Sequence, residues 1–383
     1  MTARARDHGI PLDGRPGTHN AITDVEGVEV GYVTLVEGDG PLRVGAGPVR
    51  TGVTAVLPRG RAGVDRACAA GWSTLNGNGE MTGTTWIQEA GTVRSPVLIT
   101  NTHAVGPCHQ GAIAWMVEHH PVLARRWLLP VVAETWDGYL NDINGGHVRA
   151  EHAVSAIDAA RSGPVAEGSV GGGTGMTCYG FKGGSGTASR LVEVAGVTHT
   201  VGVFVQANFG RRDELVIAGV PVGRALDQDD PEGNPGGAAP PGAGSVIVVI
   251  ATDTPLLPGQ CQALARRAPM GLARTGTTGS HYSGDIFLAV STARADGLAG
   301  GRPEPAGERA PGTPYATVSF LEWEHIDALY EAVAQATEEA VLNVLVAAEP
   351  MIGRDDHRSP ALPVQALPEL LAGARTGGGA AAR

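Results

Sequence analysis

Gly244-Ser-Val-Ile-Val-Val-Ile-Ala251 follows directly on Asp227-Gln-Asp-Asp-Pro-Glu-Gly-Asn-Pro-Gly-Gly-Ala-Ala-Pro-Pro-Gly-Ala243. The first run is short, apolar and β-branched, the pattern of a buried strand. The second is polar and broken by Gly and Pro, so it cannot pack a core; 227–244 reads as an exposed, flexible loop. A Ser on the first residue of a buried strand, behind a Gly and such a loop, is a place where a chain can cut itself. Ser245 would then be a new N-terminus. Its hydroxyl would be a nucleophile and its own α-amine, with a reference pKa of about 8, a base. Taken alone, the junction is more often an ordinary loop-to-strand boundary.

Outward from this junction, composition narrows the class. The 383 residues suffice for one large or two moderate domains. Hydrophobic residues make up 42% of the chain but aromatics only 4%, and there are 57 glycines, so the interior is built from small aliphatic side chains and close backbone contacts. A net charge of −11 argues against nucleic acid as a partner. Among the 28 Lys and Arg residues only Lys182 is a lysine. Cys68, Cys108, Cys178 and Cys261 have no CxxC spacing, so they read as buried free thiols. No apolar leader and no run of about 18 apolar residues is present, which makes cytoplasmic residence the default and no membrane association the expectation.

Residues up to about 20 read as an irregular arm. Strands are expected at 27–36, 51–57, 97–100, 198–208, 245–251 and 285–291, and helices at 112–118, 148–160, 260–273 and 326–348. The tail from 355 to 383 is Pro/Gly/Ala-rich and reads as poorly ordered. Interspersed strands and helices imply an α/β or α+β chain.

Several chemistries fail on spacing. The Gly-rich centre Gly168-Ser-Val-Gly-Gly-Gly-Thr-Gly175 contains no G-x-G-x-x-G, and Lys182 is followed by Gly183, so neither dinucleotide fingerprint nor P-loop is present. Tight turns and close backbone packing explain the glycines more simply. Ser185 and Ser283 each lack one Gly of G-x-S-x-G. His103, Cys108 and His109 match no metal pattern, so neither metal nor cofactor is expected. Ser283 and Asp285, two apart, share a face of an extended segment and can hold an ammonium group, although a solvated strand-entry turn is the simpler reading. Asn208 ends an apolar strand, where an amide can donate into an oxyanion hole or merely form a turn. Glu134 follows a short apolar run and can pair with an amine or with a surface cation.

Asn20-Ala-Ile-Thr-Asp-Val25, Val132-Ala-Glu-Thr135, Leu140-Asn-Asp-Ile-Asn144, the Gly-rich centre, Phe181-Lys-Gly-Gly184, Gln206-Ala-Asn-Phe-Gly210, Gly244-Ser245, Ala251-Thr-Asp253, Pro255-Leu-Leu257 and Ser283-Gly-Asp285 occur in this order. The ordered set resembles the DmpA-type aminopeptidases of peptidase family S58, from about residue 17 to about residue 350. The family includes L-aminopeptidase/D-amidase/esterases and β-peptidyl aminopeptidases. The resemblance implies one α+β catalytic domain over 1–383, a four-layer α-β-β-α sandwich of the DmpA/ornithine acetyltransferase type. It implies autocleavage into an α chain 1–244 and a β chain 245–383, assembled as a homo-oligomer of αβ units.

By position, the resemblance makes Ser245 the nucleophile and Asn208 the oxyanion donor, helped by a backbone N–H that the Gly-rich turns can supply. Ser283 and Asp285 would orient the Ser245 ammonium, Glu134 would hold the free amine of a small peptide, amide or ester substrate, and Trp136 would wall that pocket. Lys182 matches a lysine near the nucleophile of the related nylon-oligomer hydrolases, where it either supplies charge or is structural. That branch uses Thr where this chain has Ser245, and some β-peptidyl members carry Glu where it has Asp285. Two rival readings are an acyltransferase of the ornithine acetyltransferase type, which uses a Thr nucleophile, and a non-catalytic binding protein of the same fold.

Overall fold

The computed structural model describes residues 3–226, 244–293 and 316–377. Two sheets stack face to face. The first has the order β1-β2-β5-β6, with β1 Glu29–Glu37, β2 Val49–Leu57, β5 Val97–Asn101 and β6 Val131–Thr135. The second has the order β4-β3-β12-β11-β10-β9, with β3 Cys68–Thr74, β4 Thr92–Val93, β9 Gly184–Val194, β10 Val197–Asn208, β11 Gly244–Thr252 and β12 Ser283–Ser291. A small ribbon, β7 Thr177–Cys178 and β8 Phe181–Lys182, leads into β9.

Helices α2 (Val105–His119) and α3 (Ala150–Asp158) cover the outer face of the first sheet. Helices α5 (Pro258–Ala265), α6 (Ala268–Arg274) and α7 (Asp327–Ala347) cover the outer face of the second. The layers are therefore α-β-β-α. Helices α1 (Thr84–Ala90), α4 (Val222–Ala225) and α8 (Leu367–Gly377) lie at the margins. No helix among the described residues is long and apolar enough to cross a membrane.

The run that opens the argument is a central strand, antiparallel to β10 and parallel to β12. Its side chains alternate as a strand buried on both faces must. Val246, Val248 and Ile250 join the core under the helices, while Ile247, Val249 and Ala251 join the core between the sheets. Ser245 has the parity of Ile247, so its side chain belongs to the intersheet face, and it is 2% exposed.

The glycine-rich centre is a wedge between the sheets. The Gly172 N–H donates to Thr54 Oγ1 at 3.0 Å. A Cβ on Gly172 would stand 2.3 Å from Gln206 Oε1 and 2.5 Å from the Ile99 carbonyl, so only glycine permits the approach.

Three expectations change. Helix α2 starts seven residues before the expected 112, because Pro107 sits in its first turn, where a missing N–H costs nothing. The single helix expected over 260–273 is two, with Pro269 opening α6. The tail does not fray from 355: β13 (Met351–Ile352) pairs with β14 (Arg358–Ser359), and Leu362, Leu367 and Leu371 are buried in the helix-side core. The N-terminal arm is irregular as expected, yet it is pinned by Arg4 to Glu167 at 2.7 Å and Arg6 to Glu339 at 2.8 Å. The expected loop lies, except for Gly244, outside the described residues, as does the chain beyond 377.

Candidate active site

Strand pairing puts the expected residues at one end of the second sheet. Asn208, the last residue of β10, is the cross-strand partner of Ser245. On the other side of β11, Gly244 pairs with Ser283 and Ser245 with Gly284, which brings Asp285 beside Val246. The end of β6 completes the site from the opposite sheet: the Trp136 N–H donates to Ser245 Oγ at 3.2 Å.

Asn208 is held from both ends of its amide. Its Oδ1 accepts from the Thr177 N–H at 2.9 Å, and its Nδ2 donates to the Trp136 carbonyl at 2.8 Å. This fixes the orientation, and the amide's second hydrogen is directed by the same plane. The backbone of one residue, Trp136, thus touches both Ser245, through its N–H, and Asn208, through its carbonyl. The backbone N–H at the hydroxyl is that of Trp136, whereas a donor to the oxyanion was expected from the Gly-rich turns. In those turns the Gly171 and Gly172 N–H groups donate to Thr34 and Thr54. The Trp136 ring lies over Gly138, where a Cβ would meet it at 2.5 Å.

Ser283 Oγ donates to Asp285 Oδ1 at 2.5 Å. Asn76 grips the same residue twice: its Oδ1 accepts the Asp285 N–H at 2.7 Å and its Nδ2 donates to Asp285 Oδ2 at 3.1 Å. Burial raises the Asp285 carboxyl above its usual range, opposed by Ser283, Asn76 and the Val246 N–H. Among the described residues no side-chain hydrogen bond joins Ser283 or Asp285 to Ser245. Their parity places them on the helix-side face of β12, beneath the backbone at the Gly244-Ser245 junction rather than beside the hydroxyl.

Glu134, 3% exposed, accepts from the Glu80 N–H at 2.9 Å and from Thr102 Oγ1. Burial raises its carboxyl; the two hydrogen bonds oppose this and the Glu80 charge adds to it. A cavity of about 280 Å³ is lined by Asn101, His103, Asn141 and His147, and Glu134 is not among its lining residues. Lys182 is fully buried, with Nζ donating to the carbonyls of Met176 at 2.7 Å and Gly183 at 2.9 Å. Burial brings its pKa down to about 7, against the Cys178 and Asp137 charges that raise it. Cys108, on α2, faces the core between that helix and the first sheet, its thiol pushed up by burial to about 12.

Sequence reasoning missed Asn76, Glu80 and the Trp136 peptide. The first two sit in Asn76-Gly-Asn-Gly-Glu80, which carries a turn signal and nothing else. A backbone contact leaves no side-chain signature at all.

Known proteins resemble this chain over nearly its whole length. The model of peptidase family S58 matches residues 20–359. The β-peptidyl aminopeptidase BapA of Sphingosinicella microcystinivorans is 50% identical over 376 residues, covering 96% of this chain and 91% of that protein. The L-aminopeptidase D-Ala-esterase/amidase of Ochrobactrum anthropi, a serine aminopeptidase with a variant Ntn-hydrolase fold, superposes with a TM-score of 0.88 at 45% identity, covering 97% of this chain and 99% of the other. A β-aminopeptidase from Burkholderia sp. gives 0.85 at 45% identity, with the same coverage. The chain belongs to peptidase family S58 and is an aminopeptidase/amidase of the N-terminal-nucleophile type.

Proposed function

We propose that the chain cuts itself between Gly244 and Ser245, and that the freed Ser245 removes N-terminal residues from short peptides, amino-acid amides or esters. One observation carries this reading: the first inward side chain of β11 is a hydroxyl that faces the Trp136 N–H at 3.2 Å, with Asn208 as its cross-strand partner. In maturation, Ser245 Oγ attacks the Gly244 carbonyl carbon. The Gly244–Ser245 C–N bond breaks, an ester forms, and the nitrogen becomes the α-amine. Water then opens the ester and leaves Gly244 as a carboxylate.

In turnover the α-amine takes the Oγ proton as Oγ attacks the substrate carbonyl. The oxyanion develops against the Trp136 N–H and Asn208 Nδ2, each donor of this kind being worth about 3 kcal/mol of barrier. The leaving amine takes the proton, and water hydrolyses the acyl-enzyme. Glu134 holds the substrate ammonium, while Ser283 and Asp285 hold that of Ser245. The two β-aminopeptidase relatives support including β-amino acid residues among the substrates.

Intact mass of the purified protein beside Ser245→Ala tests the reading. Two polypeptides, 1–244 and 245–383, and an uncut, inactive variant are expected. A variant that still cuts, or still hydrolyses amino-acid amides, removes Ser245 from its role. Acyl transfer to added amine in place of hydrolysis would move the enzyme to the acyltransferase class.

A further inference from the structure

The segment from Asn76 to Thr82 bridges the two sheets. At one end Asn76 holds Asp285 on β12 by two hydrogen bonds, and its Nδ2 also donates to the Ser280 carbonyl at 2.9 Å. In the middle, Gly79 lies against Gly284, where a Cβ would meet the Gly284 Cα at 2.9 Å. At the other end the Glu80 N–H binds Glu134 on β6, and the Thr82 N–H binds the Val132 carbonyl at 2.9 Å. One short strap therefore contacts two carboxylates that belong to different sheets.

We propose that Asn76 is a positioning residue of the reaction: its amide holds the Asp285 carboxylate as an acceptor, aimed at the Ser245 amine, while the strap it begins keeps Glu134 in register with it. The chemistry of the contact argues for this. Asn76 offers an N–H to Asp285 Oδ2, a bond that a carboxylate accepts and that a carboxyl protonated there cannot accept equally well. The other carboxylate oxygen already takes the Ser283 hydroxyl. Both partners thus favour the ionised form against the burial that opposes it. An ionised Asp285 attracts the ammonium that forms when the Ser245 amine takes the proton of its own hydroxyl, and so favours that transfer. Asn76 touches neither substrate nor Ser245, so it acts through Asp285.

The inference rests on the proposed roles of Ser245 and Asp285. The test is the pH profile of kcat and KM for an amino-acid amide, measured on Asn76→Asp and Asn76→Ala. Asn76→Asp is isosteric and keeps the acceptor for the Asp285 N–H while replacing the donor with a like charge. Loss of one hydrogen bond to a charged group moves the acid limb of kcat upward by about one pH unit in Asn76→Ala. The shift is larger in Asn76→Asp, and KM stays within about threefold in both. A variant that arrives uncut is read by its rate of cutting against pH, with the same shift expected.

An unshifted acid limb with a uniformly lower kcat, an effect confined to KM, or a folded precursor uncut at every pH overturns the inference. Ser245→Ala separates the two levels. If it remains active, the reading beneath fails; if it is dead while the Asn76 profiles are unshifted, only the positioning role fails.

Discussion

Ser245 Oγ and Glu134 belong to different sheets, and burial acts on the carboxylate more directly than on the hydroxyl. A raised Glu134 carboxyl protonates at a higher pH than an ordinary glutamate of about 4.3. Once protonated it no longer attracts an ammonium. The acid limb of kcat/KM for free-amine substrates is therefore expected above the ordinary carboxylate range. Removing the charge with Glu134→Gln should lower kcat/KM for an amino-acid amide by about 30-fold or more, the lower bound of losing one partner of a buried charge pair. The corresponding N-acetylated amide should be hydrolysed no worse than by the unsubstituted enzyme. Equal losses on both substrates would show that Glu134 is structural. The same shift has the opposite sense for stability: a carboxyl with a raised folded pKa favours the fold below its unfolded pKa, and that contribution is lost as pH rises through the folded value.

At the scale of elements, Gly284 shows how a strand and a strap fix a site. A Cβ there would stand 2.4 Å from the Asn78 carbonyl and 2.7 Å from the Gly79 Cα. Gly284→Ala is expected to push the strap off β12, at a cost of about 1–3 kcal/mol in stability, and to slow turnover because Asn76 and Glu80 move with it. Thermal unfolding and kcat on one preparation check this; an unchanged Tm with unchanged kcat would mean that the strap yields freely.

This contact also marks where sequence reading stops. An uninterrupted apolar run made β11 visible as a buried strand, and Ser283 and Asp285 were visible by their spacing. The partners of Asn76 lie about two hundred residues further along the chain. Nothing local in Asn76-Gly-Asn-Gly-Glu80 distinguishes a functional strap from a surface turn. Helix α2 was legible over its apolar half and hidden over Gly106-Pro107. The Pro/Gly/Ala background of the tail masked Leu362, Leu367 and Leu371, whose leucines are too widely spaced to form a conspicuous run.

At the scale of the whole molecule, those leucines tie the C-terminal segment to the helix-side core. Leu367→Ala should cost about 2–5 kcal/mol, as for a buried leucine, and should be visible in denaturant unfolding. A frayed tail would give no effect. The segment also reaches the site: the Arg354 side chain donates to the Gly138 carbonyl at 2.7 Å, and the Lys182 N–H donates to the Pro360 carbonyl at 2.6 Å. Residues beyond Ser245 thus brace Gly138 and Lys182, which precede it.

Strands β11 and β12 stand between β10 and β3 in the second sheet. The proposed scission before Ser245 would therefore produce two polypeptides interleaved within a single sheet, with backbone hydrogen bonds on both flanks. The break changes the molecularity of folding. Before it, the chain reaches its structure by a first-order process; after it, regaining that structure requires an encounter between two molecules and slows with dilution. Unfolding of the cut enzyme in dilute solution is then a departure without a return path of comparable speed, and its durability is governed by the height of the unfolding barrier rather than by an equilibrium constant. A molecule so cut would in effect fold once, as a precursor, and be spent when it melts.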